Sequence, residues 1–187
     1  MATDNLTASE KVDVFNKAIR PLEEHKKQML VVTVHRARKL EAMDMGFLGG
    51  GTSDLAVFYD GAIRHTAVVG LGGTNVTHDV AIGLRTPWKQ AEAIKKEHGC
   101  ALQSLVAPDD VIEVPGVAGR PSYDVQRGEM AAIIEARMEE IIDRVYFEIR
   151  SSGYEDKLAG GIVLTGGGSQ LKNLKHQVEY HTGMHAH

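Results

Sequence analysis

Two glycine-rich turns, each next to an apolar strand pattern, are the strongest constraint on how this chain can fold. The first is GFLGGGTSDLAVFY at residues 46–59, and the second is GIVLTGGGS at residues 161–169. Glycine leaves its backbone N–H uncovered, so such turns can approach phosphate oxygens closely, and a helix amino end adds a favourable dipole. Glycine turns also often serve only to bend the chain. The pair therefore leaves two alternatives open: a phosphate or sugar site, and a purely structural bend.

Composition argues against several classes of function. The 187 residues are 43% hydrophobic and 25% charged, as in a globular protein with one core or two small coupled cores. A formal charge of −4 gives no reason to expect nucleic acid, because phosphate-backbone binders usually carry a basic face. The single Cys100 cannot form an internal disulfide, and no apolar run reaches the roughly 18 residues that span a bilayer. We therefore expect a cytoplasmic protein without a direct membrane segment.

The periodicity of the middle of the chain predicts a hairpin and two helices. Residues 55–59 alternate, DG at 60–61 favours a tight turn, and AIRHTAVVGLGG returns as a second strand. A helix is expected over 74–84. Thr86 followed by Pro87 favours an N-cap and a first-turn proline for a second helix over 88–98, and short strands are expected at 101–105 and 111–114.

The strongest helical pattern lies in the second half. Eight apolar residues recur at steps of three and four between Met130 and Ile149, a stripe that we interpret as core rather than as a cofactor site. A buried strand in GGIVLT, the second glycine turn and a helix from about residue 170 follow. Near the amino end the pattern predicts a helix between Asn5 and Gln28. The next segment, MLVVTVHRARKL, is expected to be a β-branched strand that runs into a basic segment, and no motif attaches to it.

Several separated motifs carry a resemblance to a known family. The segments GGGTSDLAVFYDGAIRHTAVVGLGGTNVTHDVAIGLRTPWKQAEAIKKEHGCAL, IEVPGVAGRPSYDV and GIVLTGGGSQLKNL occur in the order found in the bacterial cell-division family FtsA. That family belongs to the superfamily of actin and heat-shock-chaperone ATPases. The resemblance covers roughly Gly46 to Met184 and only the second of the family's two large lobes. The sequence EARMEEIIDRVYFEIRSSGYE is most similar to that of family members from Bacteroidetes.

The resemblance implies an α/β fold of the actin-like ATPase type. We expect a mixed sheet of about five strands with flanking helices, built from residues 46–87 and 152–187. A smaller α+β subdomain, residues 88–151, is expected as an insertion. Residues 1–45 are expected to be a divergent helix and strand outside this lobe.

The family binds ATP in a cleft between its two lobes, and the resemblance carries candidate site residues over to this chain. The phosphate-facing set is Gly49, Gly50, Gly51 and Thr52. The set facing adenosine is Gly166, Gly167, Gly168 and Ser169. On the helix AEAIKKEHG, Glu92 and Lys95 fit the places where family members touch the ribose, with an exposed face of solvated charges as the alternative.

Departures from the family pattern concern catalysis. Phe47 stands where the family has an aspartate that orders magnesium, and an apolar ring cannot coordinate a hard cation. Met1 to Met45 is too short to supply the first lobe. Phosphoryl transfer depends on positioning and charge compensation, so we expect no significant ATPase activity from this chain alone. Weak binding of ATP or ADP remains compatible with the sequence, and no catalytic or metal-ligating residue is assigned.

Two functions from different classes remain. The first is a cell-division scaffold module of the FtsA type, with a degraded or half nucleotide site. The resemblance then implies a tubulin-like division protein and other divisome proteins as partners, at the cytoplasmic face of the inner membrane at the division site. The second is an ATP-binding lobe of the actin or chaperone type, active only with a complementary first lobe. Self-association is expected in either case, because an incomplete cleft leaves apolar surface exposed.

Overall fold

Six strands in the described part of the chain form a main sheet and a separate hairpin. The computed structural model describes residues 29–36, 51–60, 62–116 and 119–187. The strands are β1 (Met29–Arg36), β2 (Gly51–Tyr59), β3 (Ala62–Val69), β4 (Val111–Val114), β5 (Tyr123–Gln126) and β6 (Ile162–Thr165). The first three and the last form a four-stranded sheet in the order β3, β2, β1, β6, while β4 and β5 pair with each other.

Strand β1 occupies the middle of the main sheet. It pairs antiparallel with β2 and parallel with β6, so the sheet is mixed, as predicted. The sequence predicted this strand but expected the main sheet to be built from residues 46–87 and 152–187, which contain β2 and β6. Instead, β1 lies between them. The predicted helix between Asn5 and Gln28 lies outside the described residues.

A fifth piece of chain extends the sheet beyond β6. An isolated parallel bridge joins Ile162 to Ala186, and the N–H of Ile162 donates to the carbonyl of His185 at 2.7 Å. The N–H of Leu164 donates in turn to the carbonyl of His187 at 2.9 Å. In the described residues the sheet therefore has four strands and the start of a fifth, close to the expected five.

Four helices in the described residues flank these sheets. They are α1 (Gly73–Gly83), α2 (Trp88–His98), α3 (Arg127–Ser151) and α4 (Leu174–Thr182). Each matches a predicted helix, because each has a clear apolar periodicity. In the described ranges, none of these helices combines the length and apolar character needed to cross a membrane.

The core lies between the main sheet and the helices α3 and α4. Alternate residues of β2, Ser53, Leu55 and Val57, are buried on one face of the sheet. The apolar stripe of α3 packs into the same core, with Ile134 and Ile149 fully buried, and this confirms its interpretation as core. The long helix α3 also contacts α1 and β5, so it links the main sheet to the hairpin.

Two local predictions between α1 and β4 are wrong. Residues Gln103–Leu105 form a 3-10 turn instead of a strand, because the N–H of Gln103 donates to the Glu135 carboxylate of α3 at 2.6 Å. Thr86 does not cap α2, since its hydroxyl contacts the side chain of Gln90 at 2.7 Å and Pro87 occupies the N-cap position. Both errors arise where a side chain makes a contact that local pattern does not encode.

Candidate functional site

The strand register brings both glycine turns to the same end of the main sheet. Gly51 begins β2 and pairs with Arg36 at the end of β1, while Thr165 ends β6 and pairs with Thr33. Neighbouring strands are about 4.8 Å apart, so β2 and β6 lie roughly 10 Å apart across the sheet, and their ends at Gly51 and Thr165 are offset by three residues along β1. The end of β1 lies between them. This sheet end is therefore the candidate site.

Half of the first predicted set lies in this described region. Gly51 is buried and Thr52 is half-buried on the opposite face of β2. Gly49 and Gly50 lie outside the described residues, as does Phe47. Whether these residues face a phosphate stays a prediction.

Gly51 lies directly against a second pair of glycines at the start of α1. A Cβ built on Gly72 would lie 2.5 Å from the Gly51 carbonyl carbon, and a Cβ built on Gly51 would lie 2.9 Å from the Gly73 nitrogen. Atoms cannot approach so closely, so both positions need glycine. The hydroxyl of Ser53 donates to the carbonyl of Leu71 at 2.9 Å and holds the loop before α1 against β2.

Sequence reasoning missed this glycine junction, which we define as Gly51, Gly72 and Gly73. It treated GLGG at residues 70–73 as the end of a strand. The signal was present, because two adjacent glycines directly before a helix are typical of a close approach between backbones. The junction also places the amino end of α1 at the candidate site, where the helix dipole favours an anion.

Glu92 and Lys95 reach the glycine junction from α2. The Lys95 ammonium donates to the carbonyl of Gly73 at 2.9 Å, to the hydroxyl of Thr77 at 2.6 Å and to Glu92 Oε2 at 2.8 Å. The Thr77 hydroxyl also contacts Glu92 Oε2. Lys96 reaches the other carboxylate oxygen, Oε1, at 3.2 Å. The structure thus brings the two predicted ribose residues to the glycine junction through Gly73, and it adds Thr77, which the sequence did not indicate.

The Glu92 and Lys95 side chains are only 16% and 14% exposed. The alternative of an exposed face with solvated charges is therefore wrong for this pair. Burial raises the pKa of Glu92, but hydrogen bonds from Lys95 and Thr77, the charge of Lys95 and the contact with Lys96 lower it more. The pKa of Glu92 consequently lies below its ordinary value of 4.5, and the carboxylate is ionised at neutral pH.

The second predicted set forms a tight turn after β6. Gly166 has a φ of 86°, a left-handed conformation that favours glycine, and Gly167–Gln170 form a short 3-10 helix. The hydroxyl of Ser169 donates to the carbonyl of Gly166 at 2.8 Å and closes the turn. Gly166 and Gly167 are exposed, while Gly168 and Ser169 are half-buried. Their proximity to adenosine stays a prediction.

The histidines near the carboxyl end contact carboxylates on their own side of the fold. His181 lies 3.3 Å from Glu139 and His185 lies 4.0 Å from Glu179. Within the ranges that the structure describes, no group of three or more His, Cys, Asp or Glu side chains could hold a metal ion. In the described residues the candidate site therefore offers hydrogen-bond donors and one ion pair, Glu92–Lys95.

Comparison with known sequences identifies a family. The model of the family described as cell division protein FtsA matches residues 48–187. FtsA of Pseudomonas aeruginosa is 47% identical over 125 residues, covering 67% of this chain and 30% of its own length. FtsA of Escherichia coli is 47% identical over 134 residues, covering 68% and 32%, and FtsA of Bacillus subtilis is 44% identical over 127 residues, covering 68% and 29%. The chain thus spans about a third of the length of these relatives. The expected similarity to Bacteroidetes members stays a prediction.

Comparison with solved structures identifies the fold. The crystal structure of MreB5 of Spiroplasma citri bound to AMPPNP has a TM-score of 0.66 at 17% identity, covering 98% of this chain and 60% of that chain. The ethanolamine utilization protein EutJ of Carboxydothermus hydrogenoformans has a TM-score of 0.59 at 20% identity, covering 90% and 46%. The fold is therefore a partial actin-like lobe, as the sequence predicted.

The glycine junction gives a test of how tightly β2 and α1 are joined. We expect Gly72→Ala to lower the free energy of unfolding by about 2 kcal/mol, because the new Cβ meets backbone that cannot move without shifting a strand. Gly73→Ala is the matched control, since its Cβ would meet only Lys95 Nζ at 3.7 Å. Urea denaturation of both variants measures the difference. Equal stability of the two variants would contradict the junction.

The lowered pKa of Glu92 gives a test by pH. A carboxylate whose folded-state pKa is below its unfolded value stabilises the fold above the unfolded value of 4.5, and this contribution is lost as the pH falls through the folded-state pKa. We therefore expect Glu92→Gln to reduce the free energy of unfolding at neutral pH and to approach wild type below pH 4.5. Glu97→Gln is the control, because Glu97 is on the same helix and its side chain is 75% exposed. Denaturation curves measured across this pH range test the prediction, and a Glu92→Gln variant as stable as wild type at every pH would contradict the lowered pKa of Glu92.

Proposed function

Because the chain belongs to the FtsA family of cell division proteins, we propose that it acts as a scaffold module in division. In this proposal the actin-like lobe takes part in linking a tubulin-like division protein to the membrane, at the cytoplasmic face of the division site. The observation that carries it is the family match over residues 48–187. Other divisome proteins, and further copies of this chain, are additional proposed partners.

We further propose that the candidate site binds ATP or ADP weakly and does not hydrolyse ATP in this chain alone. Two glycine turns and the amino end of α1 at one sheet end support binding, as does the fold shared with an MreB5 structure solved with AMPPNP. Phe47 supports impaired magnesium use, because the cation prefers oxygen ligands. Catalysis needs positive charge that compensates the charge on the transferred phosphoryl group, and a site that binds magnesium poorly lacks this compensation.

The second candidate function is an ATPase lobe that works with a complementary first lobe. Both glycine turns and the pair Glu92 and Lys95 lie at one end of the main sheet. This favours the second candidate, because a lobe that does not bind nucleotide has no evident need for this arrangement. The two candidates differ in how ATP affinity depends on magnesium.

The scaffold proposal is tested by binding to a tubulin-like division protein. We expect the purified chain to co-sediment with polymers of that protein and to do so equally with and without ATP. Co-sedimentation that requires ATP and magnesium would favour the ATPase lobe instead. Failure to bind in either condition would count against the scaffold role of this lobe.

The magnesium proposal is tested by restoring a carboxylate at the family position. We expect wild type to bind ATP with the same affinity in magnesium and in EDTA, and Phe47→Asp to bind several-fold more tightly in magnesium, because the new oxygen ligand orders the cation. Leu48→Asp adds the same charge one residue away and is the matched control. Isothermal titration calorimetry measures all three. Micromolar, magnesium-dependent affinity in wild type would overturn the proposed impairment and support an ATPase lobe.

A further inference from the structure

The carboxyl end of α2 contacts both glycine-rich parts of the candidate site. We propose that residues 95–101, which we call the α2 connector, couple the glycine junction to the second glycine turn, so that order in one is transmitted to the other. The connector consists of the last turn of α2 and the three residues that follow it. This inference concerns the fold alone and does not depend on nucleotide binding.

The first attachment of the α2 connector is to α1. The Lys95 ammonium donates to the carbonyl of Gly73 at 2.9 Å and to the hydroxyl of Thr77 at 2.6 Å. The Lys95 side chain is largely buried and Thr77 is fully buried, so water competes little for these hydrogen bonds. Because Gly73 belongs to the glycine junction, this attachment fixes the connector against the start of α1.

The second attachment is to the segment that follows the second glycine turn. The N–H of Ala101 donates to the carbonyl of Lys172 at 2.8 Å, and Cys100 and Lys172 form an isolated parallel β-bridge. The side-chain amide of Asn173 donates to the Cys100 sulfur at 3.2 Å. Cys100 and Ala101 are both buried, so these contacts are protected from water. Backbone and side chain together therefore hold the connector against this segment.

Gly99 allows the α2 connector to approach the second glycine turn closely. A Cβ built on Gly99 would lie 3.0 Å from Leu171 Cδ1 and 2.2 Å from the carbonyl oxygen of Lys95. Leu171 directly follows the short 3-10 helix of the turn, and its N–H donates to the carbonyl of Gly168 at 3.1 Å. Any side chain at residue 99 would therefore displace the end of the turn, the last turn of α2, or both.

The two attachments are one helical turn apart. Lys95 and Gly99 are separated by about 6 Å along a helix axis, and the N–H of Gly99 donates to the carbonyl of Lys95 at 2.9 Å. A single hydrogen-bonded turn has little freedom to bend, so a shift of α1 at Gly73 is passed on to Lys172. Coupling between two sites is reciprocal, so whatever orders one glycine-rich part also orders the other.

The main sheet provides a separate connection between the two glycine-rich parts, from β2 through β1 to β6. That route reaches Thr165, before the second turn, whereas the α2 connector reaches Lys172, after it. The second turn is therefore held at both of its ends, and loss of the connector frees one of them. We expect the result to be local loosening of the turn while the core stays folded.

Hydrogen–deuterium exchange of the full chain without nucleotide, read by mass spectrometry, tests the coupling from the side of α1. Lys95→Met keeps an unbranched side chain but removes the ammonium group. We expect it to speed exchange several-fold both at the start of α1 and in residues 166–172. Lys96→Met is the matched control, because Lys96 is the next residue and its side chain is 62% exposed. Faster exchange at the start of α1 alone would overturn the proposal.

The buried stripe of α3 is the internal reference for these measurements, because global unfolding speeds exchange in the core as well. An acceleration that is as large in α3 as in residues 166–172 would count against a local coupling.

Gly99→Ala tests the coupling from the side of the second turn. We expect the new Cβ to speed exchange in residues 166–172 and, through the α2 connector, at the start of α1. Gly128→Ala is the matched control, because a Cβ at Gly128 would lie in open space. In a Lys95→Met background, Gly99→Ala should have no further effect on α1 but should still act on the turn. A Gly99→Ala variant with unchanged exchange at the start of α1 would overturn the proposal.

Discussion

The contact between the backbones of Gly51 and Gly72 is the constraint on which the rest of the candidate site depends. With 2.5 Å between a Cβ at Gly72 and the Gly51 carbonyl carbon, any side chain at this point would push β2 and α1 apart. The contact fixes where α1 begins relative to the strand. It thereby places the Gly73 carbonyl within reach of Lys95, which also contacts Thr77 and Glu92.

The contacts of Glu92 and Lys95 with Thr77 and the Gly73 carbonyl connect helices α1 and α2 through a pair of charges whose burial would otherwise be costly. Removing charged groups from water costs free energy unless each is paired and hydrogen-bonded. Here three ammonium protons and one hydroxyl proton meet a carbonyl, a hydroxyl and a carboxylate oxygen, so the buried part of the pair is satisfied. A Glu and a Lys three residues apart on a helix surface would contribute only a few tenths of a kcal/mol, about 0.2–0.5. On α2 the pair Glu92 and Lys95 has this spacing, but its contacts with Gly73 and Thr77 connect α2 to α1.

Local pattern predicted most elements of this fold in the described residues but not β5, whose pairing with β4 depends on a distant segment. The hairpin of β2 and β3, the stripe of α3 and the GIVLT strand each have their own periodicity or turn signal, and all were predicted. The central position of β1 depends on two partner strands, and the turn at Gln103 depends on a contact with Glu135. Neither feature could therefore be predicted from the local sequence of its own segment. At the site, the glycine turns were visible as motifs. Thr77 was not, because a threonine inside a helix gives no signal until α2 packs against it.

The arrangement of charge at this sheet end bears on the choice between a scaffold and an ATPase lobe. A transferring phosphoryl group needs positive charge that is directed at it when the transition state forms. Lys95 is the cation in contact with the glycine junction in the described residues, and its ammonium protons are already given to Gly73, Thr77 and Glu92. This side of the site therefore offers backbone N–H groups and a helix dipole, which can hold an anion but compensate little charge. This arrangement supports the proposal that the site binds ATP or ADP weakly and that this chain alone does not hydrolyse ATP.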